Sequence, residues 1–132
     1  MIILGIDPGK NTGVAVFNDG KLTALETILP NQLTQYIESL RPSFVCFEDS
    51  RLQSVTWSRG VNHAASLKIA RDVGRIDALC EIIADTCETL KIPYVGVSPK
   101  AKGRKYKAEE FRKLTGWEWQ SNQHCRDAAL VA

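Results

Sequence analysis

No apolar run in this chain approaches the roughly 18 residues needed to cross a bilayer, and the N-terminus carries no basic-then-apolar signal segment. The expectation from these absences is residence in the cytosol. No Cys-x-x-Cys occurs: Cys46, Cys80, Cys87 and Cys125 are scattered, and no second group of Cys and His offers zinc spacing. A structural zinc site is therefore not expected. On a helix Cys80 and Cys87 would stand about two turns apart, too far for a disulfide. All four cysteines read as small buried hydrophobes in a reducing compartment. Repeats, low-complexity tracts and linker-like segments are also missing, so 1–132 is expected to be one domain with one core. The net charge is only +2, too small by itself to call for a nucleic-acid partner.

What is present is an ordinary globular composition, 44% hydrophobic and 24% charged. The apolar run 2–6 ends at Asp7-Pro8-Gly9 and reads as a strand followed by a turn. Residues 12–17 and 21–28 read as two further strands joined at Asn18-Asp19-Gly20, where Asp-Gly between β-rich runs signals a hairpin. The first three strands therefore predict an antiparallel meander. Residues 31–40 show a helical face made of Leu33, Tyr36, Ile37 and Leu40, and 44–47 is a fourth, buried strand ending at Glu48-Asp49. After a polar loop, the long segment 63–91 carries Ile69, Val73, Ile76, Cys80, Ile83, Cys87 and Leu90 at alternating steps of 4 and 3, one continuous apolar stripe. Gly74 in its middle suggests that another element approaches closely there. A fifth strand at 94–97, a short helix at 108–115 and a last helix opening near Ser121 complete the order β-β-β-α-β-α-β-α-α. That order predicts an α/β fold with a mixed five-stranded sheet flanked by helices.

Asp7 and Glu48 stand at the ends of two buried strands. If those strands are neighbours the two carboxylates lie side by side, and adjacent carboxylates call for a raised pKa or a bound cation. His124 and Asp127 are three apart and share a helix face. Four such O and N donors would suit Mg²⁺ or Mn²⁺ and the hydrolysis of a phosphodiester. Each also has a plain reading. Asp before Pro-Gly is commonly a turn former, Glu48 could be a solvated strand end, His124 a surface residue and Asp127 a first-turn acid favouring the helix dipole. Two basic regions stand out. Lys100, Lys102, Arg104, Lys105 and Lys107 lie within eight residues, either a solvated loop or a phosphate-binding one. Arg51, Trp57, Arg59 and His63 interleave cations with an aromatic directly after Glu48.

Three segments resemble the motifs of the RuvC family of Holliday-junction resolvases: Gly5-Ile6-Asp7-Pro8-Gly9-Lys10-Asn11-Thr12-Gly13, Val45-Cys46-Phe47-Glu48, and His124-Cys125-Arg126-Asp127-Ala128-Ala129. Their order matches over essentially the whole chain, which is closest in length to the compact RuvC-like proteins of phages; the compartment would then be the bacterial host cytoplasm. The resemblance implies a ribonuclease-H-like fold and a crossover-junction endonuclease leaving 5′-phosphate products. It implies metal ligands Asp7, Glu48, His124 and Asp127 holding two Mg²⁺ ions (Mn²⁺ as a substitute), one through Asp7 and Asp127 with His124 nearby, the other shared by Asp7 and Glu48. Family members carry Asp or His at the position of His124. Lys100 and Lys107 are the best matches to the lysines that assist cleavage. Branched DNA would be held by Arg51, Trp57, Arg59 and the cations of 100–107; cutting a junction symmetrically also needs two active sites, so a second copy of the chain is expected, meeting along the stripe of 63–91. Trp57 would stack on an unpaired base at the junction centre.

The sequence also admits readings from two other classes. Asp7-x-Gly9 with a nearby Thr also resembles the phosphate loop of sugar kinases and actin-like ATPases, but those need two such domains and an adenosine site, for which 132 residues are too few. A RuvC-like module that grips junctions without cutting would be expected to lack a metal ligand, and all four are present. A nuclease acting on other branched or flapped DNA stays open.

Overall fold

The computed structural model describes residues 1–52, 63–99 and 105–132, with residue 63 described in its backbone only. Strands β1 (Ile2–Asp7), β2 (Thr12–Asn18) and β3 (Lys21–Ile28) form the expected meander. The turn between β2 and β3 places Asp19 and Gly20 at φ values of 50° and 82°, the left-handed pair that a tight hairpin of the right twist requires. Helix α1 (Leu33–Leu40) then crosses to β4 (Phe44–Glu48), and α2 (His63–Leu90) crosses to β5 (Tyr94–Val97). Helices α3 (Ala108–Thr115) and α4 (Gln123–Val131) close the chain. The sheet runs in the order β3-β2-β1-β4-β5, with β4 parallel to β1 and β5 parallel to β4. This is the α/β arrangement with an antiparallel half that the element order predicts.

The sheet is covered on both faces, and the period-2 alternation of its strands sorts the side chains between them. Leu4, Ile6, Val14, Val16, Val45 and Phe47 enter the larger cluster, which α1 covers with Leu33 and Ile37 and α2 with Cys80, Ile83 and Cys87. The alternate residues face the other way: Ala15 and Leu22 pack with Phe111 of α3 and with Ala128 and Ala129 of α4. Asp7 therefore shares the α4 face with Gly5, and Glu48 shares it with Cys46.

Helix α4 lies unusually close to the sheet. A Cβ on Gly5 would overlap the carbonyl oxygen of Ala128, and one on Gly13 would overlap the carbonyl of His124. Only glycine admits the helix backbone at these two points.

One expectation about α2 needs correction. Nothing among the described residues approaches Gly74, where an added Cβ would meet open space. The apolar stripe is also not uniform. From Leu79 to Cys87 it is intramolecular core, whereas Ile69 is 42% exposed and the neighbouring Leu67 46% exposed. The sheet is too short to cover a 28-residue helix, so the N-terminal half of α2 extends beyond the main core.

Candidate active site

The parallel pairing of β1 and β4 decides the geometry. Ile6 is paired with Phe47, so Asp7 and Glu48 emerge side by side at the C-terminal ends of adjacent strands, on the same face. Chain reversal after Asp7 is held by Thr12, fully buried, whose Oγ1 donates to the Gly9 carbonyl at 2.8 Å. On the same face, α4 starts at the N-cap Asn122, whose side chain accepts from the Cys125 amide at 2.9 Å. Its amide nitrogen donates to Thr27 Oγ1 at 2.7 Å, tying the helix start to β3. This anchoring and the two glycine contacts put His124 and Asp127 beside the strand ends.

Asp7, Glu48, His124 and Asp127 all line one cleft of about 500 Å³, together with Lys10 and Lys105. Val73 and Ile76 of α2 supply apolar wall. His124 Nδ1 lies 3.4 Å from Asp7 Oδ2. Asp127 is buried, accepts from Gln123 Nε2 at 2.7 Å and stands 3.9 Å from Lys105 Nζ. A cleft lined by three carboxylates and one imidazole has the hard, oxygen-rich donor chemistry that suits Mg²⁺ or Mn²⁺. Among the described residues no three His, Cys, Asp or Glu side chains are gathered closely enough, as they stand, to hold one ion. The Asp127 carboxylate is engaged by Gln123 and Lys105, which line the same cleft.

The two described lysines of the basic run are placed differently. Lys107 sits at the N-cap of α3, where its backbone N–H donates to Glu110 Oε1 at 3.3 Å, and it does not line the cleft. Lys105, which the sequence reading assigns only to DNA binding, does line it. Its loop is held from below by Arg126, whose Nε donates to the Tyr106 carbonyl at 2.9 Å while Nη1 reaches the Ser121 carbonyl at 2.6 Å. Trp57, Arg59, Lys100, Lys102 and Arg104 lie outside the described residues, as does the side chain of His63.

Arg51 is described and is already engaged. Its Nε and Nη2 each donate to the Asp49 carboxylate at 2.9 Å, a bidentate pair. Asp49 is 5% exposed, and the Arg51 hydrogen bonds hold its carboxyl below the usual carboxylate range. The Asp49 side chain packs on Gly96 of β5, where a Cβ would come within 2.8 Å of its Oδ2. Beside it, Ser50 Oγ donates to Asp77 Oδ1 of α2 at 2.6 Å. These contacts fix the backbone immediately after Glu48. Sequence reasoning missed this clamp and the part played by Gly5, Gly13 and Lys105. The one available signal was that both glycines and Asp7 fall in the same motif.

No family model matches the chain, and no curated protein is significantly similar to it in sequence. Solved structures do match. RuvC of Thermus thermophilus in complex with a Holliday junction substrate superposes with a TM-score of 0.66 at 18% identity, covering 100% of this chain and 90% of that one. A second structure of Thermus thermophilus RuvC gives a TM-score of 0.62 at 17% identity, covering 100% and 91%. The strand order, the crossing helices and the terminal helix on the opposite face thus make up a RuvC-like, ribonuclease-H-like fold.

Proposed function

We propose that this protein is a divalent-metal-dependent endonuclease that cuts branched DNA, with four-way junctions as its main substrate. The observation that carries the reading is the convergence of Asp7, Glu48, His124 and Asp127, from two strand ends and one helix, on a single cleft. The likeness in fold to a RuvC bound to a Holliday junction supports the choice of substrate.

Asp7, Glu48 and Asp127, with His124, are the residues that would hold the metal. Divalent ions bound there would activate a water and neutralise charge on the leaving oxygen. The chain's own contribution is positioning and electrostatics. Asp7 faces Nδ1 of His124 and so fixes the orientation of the imidazole. Lys105 places a cation at the cleft, where it can stabilise the negative charge that develops on a phosphoryl group under attack. Val73 and Ile76 border the same space with apolar surface, which strengthens those electrostatic interactions.

Two symmetric incisions in a four-way junction need two active sites, and this fold supplies one. The exposed Ile69, on the α2 stripe that runs on through Val73 and Ile76, offers apolar surface for a second copy of the chain. The core half of the stripe is already covered, which narrows the proposed interface from the whole of 63–91 to its first half.

End-labelled junction, fork, flap and linear duplexes incubated with the protein in Mg²⁺ test the function. Rapid paired cleavage near the branch point of the four-way junction is the expected outcome. Faster cleavage of flaps or forks would move the substrate class to other branched DNA. Junction binding with no cleavage of any substrate would leave a non-cleaving module.

A further inference from the structure

A second cavity, of about 620 Å³, is lined by Lys10, Lys68, Arg71, Asp72, Arg75 and Ile76. Lys10 and Ile76 also line the cleft, so the two spaces adjoin. Lys68, Arg71 and Arg75 recur at i, i+3 and i+7 and therefore project from one face of α2. All four cations are exposed. Among the described residues none of them takes part in a hydrogen bond or ion pair, although Asp72 lies in their midst.

Like charges at i, i+3 and i, i+4 repel and destabilise a helix. Asp72 offsets one of the three charges on this face, and a polyanion lying along it would relieve the repulsion that remains. The spacing agrees with one. Seven residues of helix span about 10 Å, and one strand of B-DNA places about three phosphates along that length at 3.4 Å each. Guanidinium groups at two of the three helix positions add the fork geometry suited to phosphate oxygens.

We propose that Lys10, Lys68, Arg71 and Arg75 form a phosphate track that receives the backbone of a DNA arm and leads it into the cleft at Lys10. The track is separate from the basic loop 100–107 and from residues 51–59, and it rests on the reading of the protein as a DNA nuclease. Such a track holds backbone of any sequence and fixes the direction in which an arm leaves the branch point.

The test is the salt dependence of binding, measured without divalent ions so that cleavage plays no part. Dissociation constants for a four-way junction and a linear duplex are determined from 50 to 200 mM salt. For the Lys68→Gln/Arg71→Gln/Arg75→Gln variant, the slope of log affinity against log salt should fall by about two to three units. Across that fourfold range of salt the variant should lose about 16- to 64-fold less affinity than the wild type loses. The single variant Arg75→Gln should lose about one unit of slope, and Arg71→Lys/Arg75→Lys should keep the wild-type slope. Lys21→Gln/Arg41→Gln/Lys91→Gln removes the same charge at the opposite end of the sheet and should shift the slope by less than about one unit. A wild-type slope in the α2 triple variant, or equal losses in both triple variants, overturns the track while leaving the nuclease reading intact. Wild-type protein that binds neither DNA overturns both.

Discussion

Replacing Gly13 with alanine tests whether the backbone contact between α4 and the sheet builds the site. The new methyl would occupy the space of the His124 carbonyl group and lie 2.9 Å from the Cys125 amide nitrogen. Both neighbours are helix backbone, so no side chain can swing aside; either α4 lifts or β2 bends. Overpacking a rigid contact costs about 1–3 kcal/mol, and backbone on both sides argues for the upper part of that range. For a chain of this size about 2–3 kcal/mol corresponds to a fall in Tm of roughly 6–15 °C. Lifting α4 also withdraws His124, and with it Asp127 one turn on, from Asp7 and Glu48. Cleavage measured well below the melting temperature should therefore fall about a hundred-fold or more, since misplacement by about 1 Å is enough for that. Gly5→Ala, which meets Ala128 and comes within 2.9 Å of Ala132 Cβ, should be similarly destabilised but should disturb His124, one turn away, less. Thermal denaturation followed by circular dichroism and single-turnover cleavage are the two readouts. A Gly13→Ala protein with wild-type melting and wild-type cleavage would refute the reasoning.

Asp49→Asn removes the charge that pairs bidentately with Arg51 and should cost about 1–2 kcal/mol at neutral pH, read by chemical denaturation. Because the folded-state pKa of Asp49 is depressed, its contribution is fully present above the ordinary carboxylate pKa and is lost as pH falls through the folded value. The stability gap between wild type and variant should accordingly close below about pH 4, and a gap that persists unchanged there would contradict the assignment. Lys105→Gln should slow single-turnover cleavage about tenfold or more, while Lys107→Gln, outside the cleft, should stay within about twofold. Light scattering at tens of micromolar should report a homodimer that Ile69→Glu converts to monomer, and a monomeric wild type with and without junction would remove the dimer from the account.

Local signals in the sequence located the elements well. The Asp-Gly turn, the apolar runs and the 4-and-3 stripe each reflect a constraint that acts within a few residues, and β1 to β5 fall where those signals place them. The closeness of Asp7 and Glu48 was legible only as a condition, that their two strands be neighbours, and the parallel pairing of β1 with β4 meets it. What escaped depends on contacts between distant segments. Asp49 follows Glu48 directly and looks equally acidic, yet strand alternation turns it onto Gly96 and Arg51, and so Arg51 is committed to an ion pair. Gly74 signals a close approach by its identity alone, but the sheet ends before it, and Gly5 and Gly13 fill that role instead. Lys105 and Lys107 are two residues apart in one basic run, and only the start of α3 at Ala108 separates a cleft residue from a helix cap. The cations of α2 are spread over eight positions among hydrophobic residues and form a group only once the helix is wound.

The central claim is that Asp7 anchors a metal-dependent cleavage centre, and Asp7→Asn tests it most directly. The substitution keeps size and removes the charge that a hard cation requires. Cleavage and binding of a labelled four-way junction should be compared for wild type and variant over a Mg²⁺ titration. Cleavage by the wild type that rises with Mg²⁺ and is abolished by EDTA, together with background cleavage by a variant that binds the junction as well as wild type or more tightly, is the predicted result. An Asp7→Asn protein that still cuts the junction, or a wild type that cuts equally well in EDTA, would contradict it.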